Sequence, residues 1–196
     1  MRVLCLPGFR QTASHFVANG AGILREALAK EGVELVVHQA ARTEGKICWW
    51  DASDDDPPKY VGFADSLSSL SDAWRDLGPF DGCLGFSQGA AVASLMASTA
   101  GSKFPGLRFV VCCGGFVVRD PLAHEMLANA SSIRIPSLHL IGNADDVVSP
   151  ARSLELSNYF RDPTVVRHEQ GHCVPTDPLA CAALSAFFEK HALYPS

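Results

Sequence analysis

Apolar residues along the chain gather in short, nearly unbroken runs, and between the runs they recur every three or four positions. The runs are RVLCL from Arg2, VELVV from Val33, FDGCLGF from Phe80, LRFVVCC from Leu107, SLHLIG from Ser137 and TVVRHE from Thr164. Their length and β-branched or aromatic content predict strands. Helices are predicted over residues 14–30, 61–77 and 88–100, with a short one after Asp120-Pro121. A further helix opens at Ser149-Pro150, a cap followed by proline at the first helical position, and runs to about residue 160. The last opens at Asp177-Pro178, and its Leu179, Ala183 and Phe187, beside Leu184 and Phe188, form one apolar face.

Strand and helix thus alternate, and the strands are continuously apolar rather than alternating. That pattern predicts an α/β fold, a mostly parallel sheet covered by helices on both faces. There is no repeat and no low-complexity tract, so residues 1–196 are expected to form one domain. Residues 38–60 form a long irregular stretch. Its Asp54-Asp55-Asp56-Pro57-Pro58 run resembles a linker but comes too early to separate two viable domains. Loops of this length inside a compact fold usually serve function.

Composition narrows the function classes. With 47% hydrophobic residues in 196, a packed core is expected. The net charge of -5, with acidic and basic residues interspersed, offers no basic stripe for nucleic acid. No apolar run approaches the roughly 20 residues of a membrane helix, and MRVLCLPGF is too short for a signal core. Cys5, Cys83, Cys112 and Cys113, of seven cysteines, lie in the strand-like runs and read as small buried hydrophobes. No C-x-x-C pair occurs, and a cytosolic protein is expected.

Reactive groups in such folds gather at the carboxyl ends of the strands. The third predicted strand ends in Gly85-Phe86-Ser87-Gln88-Gly89, which matches G-x-S-x-G. A serine on a sharp strand-to-helix turn leaves no room for side chains two residues away on either side, hence the glycines. The N–H of Gln88 would point where an oxyanion forms. An acid and a base should follow in that order. The SLHLIG run leads into Gly142-Asn143-Ala144-Asp145-Asp146, where Asp145 and Asp146 compete for the acid role. Asp145, the earlier turn residue, is preferred, and Asp146 reads as a solvated neighbour or helix-capping group. His172, after the last strand, is the expected base. The Leu6-Pro7-Gly8-Phe9-Arg10-Gln11 turn supplies the loop from which a second oxyanion donor would come.

The stretch around His172 allows another reading. His168-Glu169-Gln170-Gly171-His172 fits H-E-x-x-H, the pattern that holds zinc when both histidines share one helix face. A strand-like run leads into it, Gly171 weakens a helix and Pro175 interrupts one, so a zinc hydrolase is disfavoured. A third alternative is a non-catalytic protein that keeps the fold as a ligand pocket.

The segments LPGFRQTASHF, CWWDASDDDPPKYVGFADSL, LGFSQGAAVASLM, RFVVCCGGF, IPSLHLIGNADDVVSP and HEQGHCVP resemble the FSH family of serine hydrolases, over nearly the whole chain. The resemblance implies a minimal α/β-hydrolase fold of about six strands without a large cap domain. It implies a triad of Ser87, Asp145 and His172, with the N–H groups of Phe9 and Gln88 as oxyanion donors. Members commonly carry histidine before the first-loop glycine, where this chain has Pro7. The implied activity is carboxylesterase or thioesterase cleavage of small acyl substrates, without metal or organic cofactor. Trp49, Trp50, Phe116 and Val117 would line the acyl pocket.

Overall fold

The computed structural model describes residues 1–29, 32–53, 59–128 and 132–192. The Asp54–Pro58 run and Lys30, the predicted end of the first helix, lie outside them. The elements are β1 (Arg2–Leu6), α1 (Ala13–Phe16), α2 (Gly22–Ala29), β2 (Glu34–Val37) and four two-residue strands. The latter are β3 (Arg42–Thr43), β4 (Lys46–Ile47), β5 (Asp51–Ala52) and β6 (Tyr60–Val61). Then come α3 (Phe63–Leu77), β7 (Gly82–Phe86), α4 (Gln88–Ser98), α5 (Ala100–Lys103), β8 (Phe109–Cys113) and α6 (Pro121–Ala128). The chain closes with β9 (Ser137–Gly142), α7 (Pro150–Ser157), β10 (Thr164–His168) and α8 (Pro178–Ala192).

The six predicted strands form one sheet in the order β10-β9-β8-β7-β1-β2, and every neighbouring pair is parallel. Alternate side chains serve opposite layers. Leu4, Leu6, Val110 and Cys112 pack with Leu70 and Trp74 of α3, Leu95 of α4 and Leu127 of α6. Val3, Cys5, Val111 and Cys113 pack with Phe16 of α1, Leu24 of α2 and Leu184, Phe187 and Phe188 of α8. Both faces are covered, which is why the strands read as continuous apolar runs.

Three expectations are corrected in detail. The helix predicted over 14–30 is broken by a π turn at Val17–Ala21, where Asn19 leaves helical geometry and Gly20 has φ 109°. The stretch 38–60 is not wholly irregular, since β3 pairs with β4 and β5 with β6, both antiparallel. Two-residue strands are too short to show a period. The helix predicted from Val61 starts at Phe63, because Val61 pairs in β6 and Gly62 takes a left-handed conformation before the first turn.

The chain leaves β1 to one side for β2 and returns on the other side for β7. A crevice opens at the carboxyl ends of strands where the order reverses in this way. Leu6 and Gly85 are register partners at that end, and Ser87 follows directly. Among the described residues, no helix is long and apolar enough to cross a membrane.

Candidate active site

Ser87 stands between β7 and α4 with φ 55° and ψ −119°, a conformation that L-residues rarely adopt and that costs about 1–3 kcal/mol. Close packing of the turn holds it there. A Cβ on Gly85 would lie 2.2 Å from the Gly89 carbonyl oxygen, and one on Gly89 would lie 2.0 Å from that of Leu6. Any larger residue would push the turn off the sheet. The Ser87 N–H donates to the Cys113 carbonyl at 2.9 Å, which ties the elbow to the end of β8.

The imidazole of His172 lies between Ser87 and Asp145. Its Nδ1 is 2.7 Å from Asp145 Oδ2 and its Nε2 is 2.9 Å from Ser87 Oγ. An ionised carboxylate can only accept, so the ring proton sits on Nδ1 and Nε2 is left to accept from the serine hydroxyl. The other Asp145 oxygen accepts from the N–H groups of Val147 at 3.0 Å and Val148 at 2.8 Å. The side chain of Asp145 is only 2% exposed, so these bonds compensate a buried charge. Asp146, the competing carboxylate, is exposed. The ring of Phe86 packs beside His172, with centroids 4.8 Å apart.

The HEQGH stretch is not a helix. His168 ends β10, paired with Gly142 of β9, and His172 lies in the loop beyond it. The two rings therefore do not share a helix face, and both nitrogens of His172 are engaged by the serine and the aspartate. His168 is buried, and burial lowers its pKa below the usual histidine range.

Of the loops that carry the two expected oxyanion donors, one follows Ser87 directly and the other touches it at Gly8, where a Cβ would lie 3.1 Å from Ser87 Cβ. Gln88 is the first residue of α4, where N–H groups have no helical partner. Neither its N–H nor that of Phe9 donates to a protein acceptor among the described residues. In the first loop the Gln11 side chain accepts from the Gly8 N–H at 2.9 Å. Pro7 contributes its carbonyl, which accepts from Trp49 Nε1 at 2.8 Å.

The four expected pocket residues divide. Trp50, Phe116 and Val117 line one cleft, with Tyr60, Arg119 and Arg152. Trp49 is 1% exposed and belongs to the core, held by its bond to Pro7. Sequence reasoning missed the side chain of Gln88, which donates to the Trp50 carbonyl at 3.0 Å and accepts from the Trp49 N–H at 3.2 Å. It also missed Gly114, whose φ is 55°. A Cβ there would lie 3.2 Å from Cε1 and Nδ1 of His172. The adjacent Gly114-Gly115 after a strand was the available signal.

The chain is 32% identical to human esterase OVCA2 over 223 residues, covering 98% of this chain and 97% of the relative. It is 34% identical to esterase GA18864 of Drosophila pseudoobscura pseudoobscura, covering 89% of this chain and 66% of that protein. The fold resembles that of acyl-protein thioesterase 2 from Zea mays, with TM-score 0.66, 19% identity and coverage of 97% and 93%. The sheet and its helices are those of an α/β hydrolase. The family described as serine hydrolase (FSH1) matches residues 1–182, and the chain belongs to that family.

Proposed function

We propose that the protein is a serine esterase that cleaves small acyl esters or thioesters through an acyl-enzyme on Ser87. His172 Nε2 takes the hydroxyl proton as Ser87 Oγ attacks the acyl carbonyl, and returns it to the departing alcohol or thiol. Asp145 fixes the ring tautomer and stabilises the imidazolium. The N–H groups of Gln88 and Phe9 receive the oxyanion, each worth about 3 kcal/mol in the transition state. Water, activated by the same imidazole, then releases the acid. The observation that carries this reading is the unbroken hydrogen-bonded chain from Ser87 through His172 to Asp145. Membership of a serine hydrolase family and the esterase names of its relatives support it.

Trp50, Phe116 and Val117 form the wall that receives the acyl group. A cytosolic setting is inferred from seven cysteines that are all free. The test is a panel of p-nitrophenyl esters and acyl-thioesters of increasing chain length, run on the wild type and on Ser87→Ala. Hydrolysis that falls about 10³-fold or more in the variant is expected, and hydrolysis that survives it would overturn the reading.

A further inference from the structure

One cleft opens on His172, and a second is linked to the elbow through the side chain of Gln88. One, of about 410 Å³, is lined by His172 itself with Gln11, His15, Phe86, Gln170 and Thr176. The other, of about 350 Å³, is lined by Trp50, Tyr60, Phe116, Val117, Arg119 and Arg152. Its wall is fixed to the elbow where the Gln88 side chain donates to the Trp50 carbonyl. Ser153, next to Arg152, donates to the carbonyl of Gly115, next to Phe116, which joins two sides of this cleft. On the esterase reading the leaving atom receives its proton from His172, which lines the first cleft, and the second is then left for the acyl group.

The second cleft is poorly made for a purely aliphatic chain. The Arg152 guanidinium lies 4.8 Å from the centroid of the Phe116 ring, and Trp50 meets Phe116 edge-on at 6.1 Å. Neither Arg119 nor Arg152 forms a salt bridge among the described residues. Burial raises the pKa of the Tyr60 hydroxyl, a backbone hydrogen bond with Arg119 and the charges of Arg119 and Arg152 lower it, and the charge of Asp120 raises it. Asp120 uses Oδ1 to accept from the N–H groups of Leu122 and Ala123 at the start of α6. Two guanidiniums thus line one cleft without a carboxylate partner among the described residues. An alkyl end would strip their water and return no hydrogen bond. A carboxylate would accept from the fork of either guanidinium while its methylenes lie on Trp50 and Phe116.

We propose that this cleft selects acyl groups ending in an anion, so that half-esters or half-thioesters of dicarboxylic acids are the preferred substrate class. The proposal rests on the esterase reading above. It is tested with mono-p-nitrophenyl adipate against p-nitrophenyl hexanoate, which have equal chain length and differ in the terminal carboxylate. The wild type is expected to favour the adipate by about tenfold in kcat/KM at low salt, with the preference shrinking as sodium chloride rises. Arg152→Gln and Arg119→Gln each lower that ratio, and Arg152→Lys keeps more of it than Arg152→Gln. Hexanoate hydrolysis that depends on Ser87, with a wild-type ratio at or below one, overturns the anionic subsite and leaves the esterase standing. No Ser87-dependent turnover of either ester overturns the esterase reading and the subsite with it. The salt series on the wild type keeps the test decisive if a variant fails to fold.

Discussion

The side-chain amide of Gln88 donates to the Trp50 carbonyl at 3.0 Å, and its oxygen accepts from the neighbouring Trp49 N–H at 3.2 Å. The residue after the nucleophile thus holds the wall of the adjoining cleft, and elbow and wall are fixed to each other. Gln88→Leu leaves a buried N–H and a buried carbonyl unpaired, at a cost of about 2–4 kcal/mol. Urea denaturation should show that loss, and KM for acyl esters should rise. A stability change below about 0.5 kcal/mol would mean that the clamp is not formed in solution.

Gly114 sets the position of the imidazole. A Cβ at this residue would lie 3.2 Å from His172 and 3.4 Å from Asp145 Oδ2, on a backbone with φ 55°. Gly114→Ala is expected to destabilise the fold by about 1–2 kcal/mol through the backbone alone. It should lower kcat by about tenfold or more through a displaced ring. Steady-state kinetics beside a thermal melt separates the two effects, and unchanged kcat would contradict the contact.

Asp145 has two tasks on two oxygens. Asp145→Asn can keep an acceptor for the Val147 and Val148 N–H groups and present its NH₂ to His172. That reverses the tautomer and removes the acceptor nitrogen facing Ser87. A fall in kcat of about 10³- to 10⁴-fold with little loss of stability is expected. Equal losses in the melt and in kcat would assign Asp145 to folding instead.

His139 lies inside β9, 1% exposed, with Nε2 3.1 Å from Ser137 Oγ and its ring 5.0 Å from that of Phe160. Burial lowers its pKa to about 4, from 6.5 in an unfolded chain. Above pH 6.5 the ring is neutral in both states and contributes no pH dependence. As pH falls from 6.5 to 4 only the unfolded chain binds the proton, so stability drops by about 3 kcal/mol at most and then levels off. Burial shifts His38, His168 and His191 in the same direction. Urea midpoints between pH 7 and pH 4 should decline in the wild type and decline less in His139→Gln. Parallel curves would contradict a neutral buried His139.

All six strands of the main sheet were legible because two-sided burial leaves a continuous apolar run, and even the more exposed Thr164–His168 strand announced itself by β-branched residues. The order of Ser87, Asp145 and His172 was legible because each follows a strand that ends on the same edge. The break in the first helix was signalled by Asn19-Gly20, a turn-forming pair inside a helical pattern. The fate of Trp49 was not legible. It is decided by a bond to Pro7, 42 residues away, and no local pattern separates a core tryptophan from one that lines a cleft. The Gln88 clamp was hidden for the same reason, since its partners are 38 and 39 residues distant. For His168 and His172 the spacing was uninformative and the preceding strand decisive, because four residues span one turn only if the chain is helical.

On the proposed mechanism Ser87 is the nucleophile activated by His172, and a fluorophosphonate probe followed by peptide mass spectrometry can identify that residue. One equivalent of label on the peptide containing Ser87, accumulating in step with the loss of ester hydrolysis and absent in Ser87→Ala, is the predicted result. Label on another residue, or hydrolysis that persists in the fully labelled protein, would contradict it.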